Sequence, residues 1–340
     1  MSMRRTVGHR RPDSGAIASH RLPRPKGNSM TRILVTGATG HIGSMTLRHL
    51  LNRVPAGDLA GLARDPSAAA DLAARGVDIR QGDYFDRDGL VRAFEGVDKI
   101  MLVSATAFTD RNTQHENVIS AAQQAGVRHV VFMPIIHLAG SPSTLPQIRE
   151  EDRFAEDRLR ASGLTYTLVR HPPFLENIDT YAGGNAFEKG VRTPAGTGRA
   201  AYACREDLAE AHAVVLSEDG HENRSYTLFG DPAVSFRDIA RIMSDISGKP
   251  VPVHTVSDED YVANLVAAGL PEPAALFILD WVHGVNAGAW DGRTGDLERL
   301  LGRKPVSPAQ FLRATHAASG VSRAPVSDPR RRVDSGDPRQ

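Results

Sequence analysis

The stretch Thr36-Gly-Ala-Thr-Gly-His-Ile-Gly43 places glycines at 37, 40 and 43 directly after an apolar run. That spacing suits a diphosphate. Gly37 permits a tight turn, Gly40 lets backbone approach phosphate oxygens, and Gly43 lets a following helix pack closely. Ala38, Thr39, His41 and Ile42 complete a loop whose N–H groups, with the positive end of the helix behind them, can face a bound anion. Between a strand and a helix, this pattern predicts a dinucleotide site. An acid closing the second strand would meet the ribose 2′-hydroxyl of NAD. Here Leu59-Ala-Gly-Leu-Ala63 contains none and is followed by Arg64, whose guanidinium suits a 2′-phosphate. NADP(H) is therefore expected over NAD(H). Asp65, next along, can pair with Arg64 or face the ribose itself.

The elements that must hold this loop follow from the alternation of short apolar runs with amphipathic segments, the signature of an α/β fold with a doubly wound parallel sheet of Rossmann type. Strands are expected at 32–36, 58–63, 77–81, 99–104, 128–133 and 164–169, with helices at 42–53, 66–75, 87–95, 113–125 and 147–161. Beyond Pro172 the rhythm loosens: a strand at 200–203, a helix at 206–216, a strand at 225–229, then helices from 236 to about 317. This predicts a smaller, mostly helical C-terminal lobe laid over the open end of the sheet, where such sheets bind ligands. The expected division is an N-terminal extension at 1–29, a dinucleotide-binding core at 30–170, a substrate lobe interleaved with it at 171–317, and a tail at 318–340. Both ends are read as disordered, with Met30 an alternative start of the chain.

The 340 residues have 41% hydrophobic and 24% charged content, an ordinary composition for a globular protein in water. No apolar run approaches the roughly 18 residues a membrane span needs. Residues 1–30 carry seven Arg/Lys and one Asp, so the remainder is mildly acidic, which argues against a nucleic-acid groove. A single cysteine, Cys204, excludes an internal disulfide and is read as a small buried hydrophobe. No metal-ligand spacing is present, and a reducing, cytoplasmic setting is expected.

Taken in order, TGATGHIG after a strand, the Ala63-Arg-Asp-Pro66 turn, Gly82-Asp-Tyr84, Ser104-Ala-Thr106 and Arg170-His-Pro-Pro-Phe-Leu-Glu-Asn177 resemble the NmrA-like atypical short-chain dehydrogenases. Within them the chain looks most like the NAD(P)H:quinone oxidoreductases of the bacterial quinone oxidoreductase 2 type. The likeness runs from about residue 30 to 316. It implies that Asp83 and Tyr84 border the adenine, Ser104 and Ala105 the middle of the cofactor, and residues 133–136 the nicotinamide side. Pro134, Ile135 and Phe174 would then meet the substrate. It further implies hydride transfer to a quinone-like small molecule, and leaves a homodimer open.

Typical short-chain dehydrogenases exchange a proton through a Tyr-x-x-x-Lys pair. None of the six tyrosines here has lysine four residues later, and Pro134 stands where relatives often carry serine. That loss cuts against alcohol oxidation. It cuts less against quinone reduction, because a hydroquinone oxygen is phenolic, with a pKa of about 10, and water can protonate it. His137 is the titratable side chain expected near the nicotinamide, able to orient or protonate an acceptor oxygen. Phe174 can wall a flat substrate and Asn177 can hydrogen-bond it. Arg170 and Glu176 are expected to tie the crossover loop to the core. The mixed-charge run at 149–158 reads as a solvated helix face, with Arg153 as one candidate for the site. Trp281 and Trp290 are read as lobe core or dimer contacts. Two other readings fit the same residues: a dinucleotide-binding redox sensor without turnover, and a reductase of another planar electrophile such as a triphenylmethane dye or an isoflavone-like compound.

Overall fold

The near-continuous apolar runs at 33–35, 59–63, 100–102 and 129–132 become strands buried on both faces, as central parallel strands are, while the edge strand at 78–81 is only partly covered. The computed structural model describes residues 31–138, 140 and 145–322. Its strands are β1 (Ile33–Val35), β2 (Leu59–Ala63), β3 (Asp78–Gln81), β4 (Lys99–Leu102), β5 (His129–Phe132), β6 (Thr165–Arg170), β7 (Val191–Thr193), β8 (Ser225–Thr227) and β9 (Val253–Thr255). Seven of them form one parallel sheet in the order β3-β2-β1-β4-β5-β6-β8. The order reverses between β1 and β4, which opens a crevice at their C-terminal ends.

The crossovers are α1 (His41–Leu50), α2 (Ala70–Ala74), α3 (Arg87–Ala93), α4 (Arg111–Ala125) and α5 (Pro146–Ala161). After β6 come α6 (Ile178–Tyr181), α7 (Ala186–Lys189), α8 (Arg205–Ser217), α9 (Phe236–Ser247), α10 (Asp258–Ala267), α11 (Glu272–Asn286), α12 (Asp296–Leu301) and α13 (Pro308–Ser322). Local chemistry sets several starts: Asp86, Asp110, Ser235 and Ser257 each accept a backbone N–H two or three positions into the helix they precede.

Three apolar clusters result. One face of the sheet packs Leu47 and Leu50 of α1 with Leu208 and Val215 of α8. The other packs Leu90, Phe94, Val118 and Leu159. The third fills the lobe around Tyr202, Tyr261 and Trp290 and reaches Ile136 and Leu175 of the sheet-end loops. Trp281 stacks on Trp290 at 4.8 Å inside this third cluster, so both tryptophans belong to the lobe core.

Several sequence expectations change. Residues 200–203 are not a strand. They make isolated bridges to Val234, Trp290 and Phe174, stitching lobe to loop. The parallel pair β7–β9 was not expected, since three residues are too few to show alternation. Helix α13 runs to Ser322, past the expected end of the lobe at 317, so the tail does not begin at 318. Residues 1–30 and 323–340, on which the disorder expectations fall, lie outside the described residues. No helix among those described is long and apolar enough to cross a membrane, and no group of three or more His, Cys, Asp or Glu among them is arranged to hold a metal ion.

Candidate functional site

The glycine loop sits at the C-terminal end of β1, in the crevice. Gly37 takes φ +62°, the left-handed conformation its tight turn requires. A Cβ on Gly43 would stand 2.3 Å from Gly37 O and 2.8 Å from Thr36 O, so helix α1 approaches its own loop as only glycine allows. Gly40 is the N-cap of α1, and because it has no side chain, nothing caps the helix from within; its first turn holds no acid. Ala38, Ile42 and Gly43 are buried while Thr39, Gly40 and His41 are exposed. An uncapped helix end on a solvent-facing glycine turn is a receptor for phosphate.

Arg64 lies exposed just beyond β2, and its carbonyl accepts from Gln81 Nε2 at 3.2 Å. It borders a groove of about 730 Å³ that also includes Gly82, Asp83, Asp86 and Arg92. Among the described residues its guanidinium has no hydrogen-bond or ion-pair partner. Arg80 of the same groove is engaged by Asp78 and by the carbonyls of Ala93 and Glu95. Asp65 turns back to accept from the N–H and hydroxyl of Ser67, and these bonds hold its carboxyl below the usual carboxylate range. Asp65 is thus committed to Ser67 rather than to Arg64.

Tyr84 ties the crevice together from below. Its hydroxyl, with one proton to share, lies 2.5 Å from Thr36 Oγ1 and 2.9 Å from Val103 O, joining the loops that follow β1 and β4. Burial pushes this phenol far above its ordinary range. Asp83 accepts from the Phe85 N–H and lines the Arg64 groove. Ser104 donates to Met133 O at 2.8 Å, and the Ala105 N–H donates to His115 Nε2 at 3.1 Å.

The segment 133–137 is held at nearly every polar atom. Ile136 N–H donates to His171 O, His171 N–H to Pro134 O, and Trp290 Nε1 to Ile136 O. Ile135 N–H donates to Asp152 Oδ2 at 2.9 Å. Asp152 and Glu151 both bind the buried Arg111, at 2.7 and 2.8 Å. His137 Nε2 stands 3.6 Å from Asp152 Oδ2, long for a hydrogen bond but close for an ion pair, and has no other partner among the described residues. Burial pushes the Asp152 carboxyl up, yet His137, Arg111 and the Ile135 N–H together bring it below its usual range.

The mixed-charge run at 149–158 is therefore not simply a solvated face. Glu151 and Asp152 point inward to Arg111, and Glu156 binds Arg170 at 2.8 Å. Charge pattern alone could not show this, because the partner lies about 40 residues upstream on another helix. Arg153, the candidate in that run, is 81% exposed, with Asp157 at 4.0 Å as its ion-pair partner among the described residues.

Phe174 and Asn177 lie on the loop after β6, adjacent to the 133–137 segment through the Ile135–His171 bridge. Arg205, which the sequence did not single out, sits over the Phe174 ring at 5.1 Å and donates to Asn177 Oδ1 at 3.0 Å, while its own N–H is held by Glu176. Asn177 also donates to the Tyr181 hydroxyl at 3.3 Å, so its amide braces Arg205 and the lobe. Arg170 and Glu176 secure the loop to α5 and α8. Cys204 is buried, its thiol pushed up to about 12 by burial, and its sulfur accepts the Asp207 N–H at the start of α8.

Three histidines beneath these loops are buried and neutral. Burial, reinforced by Arg111, depresses His115 to about 3; burial depresses His171 to about 3; burial and then His171 push His212 well below its ordinary value. His171 and His212 face each other at 2.8 Å, so one ring donates and the other accepts. The unfolded chain binds protons on these residues below about pH 6.5, and the folded chain resists doing so until far lower. Stability is therefore full above that pH and is lost as pH falls below about 6.5. Urea midpoints followed by tryptophan fluorescence from pH 7 to 4.5 are expected to fall steeply; a flat profile would mean the rings are hydrated.

Against known proteins, the NAD(P)H-binding family matches residues 37–219. Quinone oxidoreductase 2 of Escherichia coli strain K12 is 37% identical over 281 residues, covering 82% of this chain and 97% of its own. The crystal structure of the NADPH-dependent quinone oxidoreductase of that type from Escherichia coli, complexed with NADPH, superposes with a TM-score of 0.78 at 35% identity, covering 84% of this chain and 99% of the other. That of Citrobacter sp. triphenylmethane reductase complexed with NADP(H) gives a TM-score of 0.76 at 31% identity, with 83% and 99% covered. The glycine turn, the parallel sheet and these matches agree: the chain belongs to the NAD(P)H-binding family of oxidoreductases that includes quinone oxidoreductase 2.

Proposed function

We propose that this protein is an NADPH-dependent reductase that passes hydride to a quinone or a similarly conjugated planar acceptor. The observation that carries this reading is the uncapped glycine cradle at α1 together with an unpartnered guanidinium, Arg64, at the end of an acid-free β2. The residues present fit NADPH: the cradle would take the diphosphate, which a Cβ at Gly43 would disrupt, and Arg64 would take the 2′-phosphate. The nicotinamide supplies the hydride when bound. Asp83 and Tyr84 would border the adenine end, and Ser104 and Ala105 the middle.

At the other end, Pro134, Ile135 and Phe174 would present a stiff apolar wall to a flat ring, and His137, backed by Asp152, would steady or protonate an acceptor oxygen. A phenolic product needs no stronger acid than these or water. The Escherichia coli relative is named for quinones and the Citrobacter relative for triphenylmethane dyes, both conjugated hydride acceptors, which supports the acceptor class.

The test is calorimetric titration of NADPH and NADH, then addition of a simple benzoquinone while nicotinamide absorbance is followed. Tight NADPH binding with oxidation is expected. Tight binding with no turnover on any acceptor would replace the reductase with a dinucleotide sensor. In Arg64→Ala, NADPH affinity is expected to drop roughly 10- to 150-fold, the worth of one charge-assisted contact, with NADH affinity unchanged. Equal losses for both cofactors would overturn the role of Arg64.

A further inference from the structure

The lobe and the sheet-end loops line a second, half-open cavity of about 320 Å³. Ala107 and Phe108 come from the loop after β4, Leu145 and Ile148 from the start of α5, and Leu276 and Phe277 from α11. The polar lining is sparse. Gln147 turns its amide away to Glu151, and Asp280 is raised above the usual carboxylate range by burial. Two of the lining residues are apolar yet open to water: Phe108 is 62% exposed and Leu276 48%. Phe108 is also held at φ +67°, a left-handed backbone that an aromatic residue adopts at a cost of about 1 kcal/mol or more. Its ring meets Phe277 edge to face at 5.2 Å. A strained residue holding an aromatic ring in water at a cavity mouth points to an apolar ligand.

The cavity and the candidate acceptor wall draw on one apolar cluster. Leu145 and Ile148 belong to the same apolar cluster as Ile136, and Ala107, Ile135 and Leu138 pack against it. A cavity of about 150 Å³ lined by such side chains holds benzene, so this one has room for a substituent rather than for a dinucleotide. We propose that it is a subsite for an uncharged alkyl or prenyl substituent on the acceptor ring, and that it selects substituted over bare quinones. This rests on the reductase reading above, with the ring at Ile135 and Phe174 and its substituent running toward Phe108 and Leu276.

The test compares 1,4-benzoquinone with 2-decyl-1,4-benzoquinone, on the intact chain and on Leu276→Asp, a half-exposed position. Each methylene transferred from water is worth about fourfold. The decyl compound is expected to have at least a tenfold higher kcat/KM than benzoquinone in the native chain, and Leu276→Asp to remove that advantage while benzoquinone turnover stays unchanged. Equilibrium dialysis of the decyl compound with NADP⁺ present reads the subsite without turnover. Binding by the native chain that weakens tenfold in Leu276→Asp, with no quinone reduced, would uphold the subsite and sink the reductase reading. Equal kinetics for the two quinones, or decyl binding that the substitution does not weaken, would overturn the subsite. A fall in sedimentation coefficient in Leu276→Asp with decyl binding intact would also overturn it, assigning the exposed apolar residues to contact with a second copy of this chain.

Discussion

Gly43→Ala is expected to lose NADPH affinity by on the order of a hundredfold or more while the protein stays folded. The added Cβ would lie 2.3 Å from Gly37 O and 2.8 Å from the Gly37 carbonyl carbon. Both are backbone atoms with no rotamer to yield, so loop and helix must part by the better part of an ångström. Overpacking of this kind costs about 1–3 kcal/mol, which a chain of this size survives. Misplacing the donor N–H groups by that distance is more serious, because binding a diphosphate depends on several bonds meeting at once. Calorimetric titration beside a thermal melt separates the two effects. Gly40→Ala is the milder comparison, since its Cβ would approach Gly37 O only to 3.3 Å. Native affinity in Gly43→Ala would remove the cradle as the diphosphate site.

Arg111→Met is expected to destabilise the protein by about 3–5 kcal/mol. Arg111 is buried between Glu151 and Asp152, and its removal strands both carboxylates away from water. Asp152 would also lose part of its hold on the Ile135 N–H and on His137. Urea denaturation is expected to show a midpoint lowered by roughly 1 M or more. The triple variant Arg111→Met/Glu151→Gln/Asp152→Asn carries no buried charge and is expected to regain more than half of the loss. A single variant within about 1 kcal/mol of the native chain would show that water reaches this cluster.

The sheet and the glycine loop were legible because their signals are local. A run such as Ile33-Leu-Val35 followed by glycines at 37, 40 and 43 carries strand, turn and helix start within a dozen residues. Arg64 was singled out because it follows a strand without an acid, and Asp83 only through the family resemblance; the structure places both along one groove. The acceptor end was not legible, because it is assembled from distant pieces. Nothing near His137 announces that Asp152 backs it, and nothing near Glu151 announces Arg111. The same holds for Arg205, which reads as an ordinary helix start and only in three dimensions lies over Phe174. The bridges at residues 200–203 mimic a strand in sequence because short apolar residues are needed there for a different reason, close stitching of the lobe to the β6 loop.

The bond from Trp290 Nε1 to Ile136 O spans 154 positions. The ribosome delivers the glycine loop and the first five strands long before that tryptophan, so the half of the crevice that would grip the dinucleotide can form while the half that would receive the acceptor still lacks its keystone. In a nascent chain the residues that would hold a cofactor are therefore made before the tryptophan that closes the far end of the crevice. Chains cut short ahead of residue 290 would be left in that condition, with the carbonyl of Ile136 facing solvent and the reacting end unfinished.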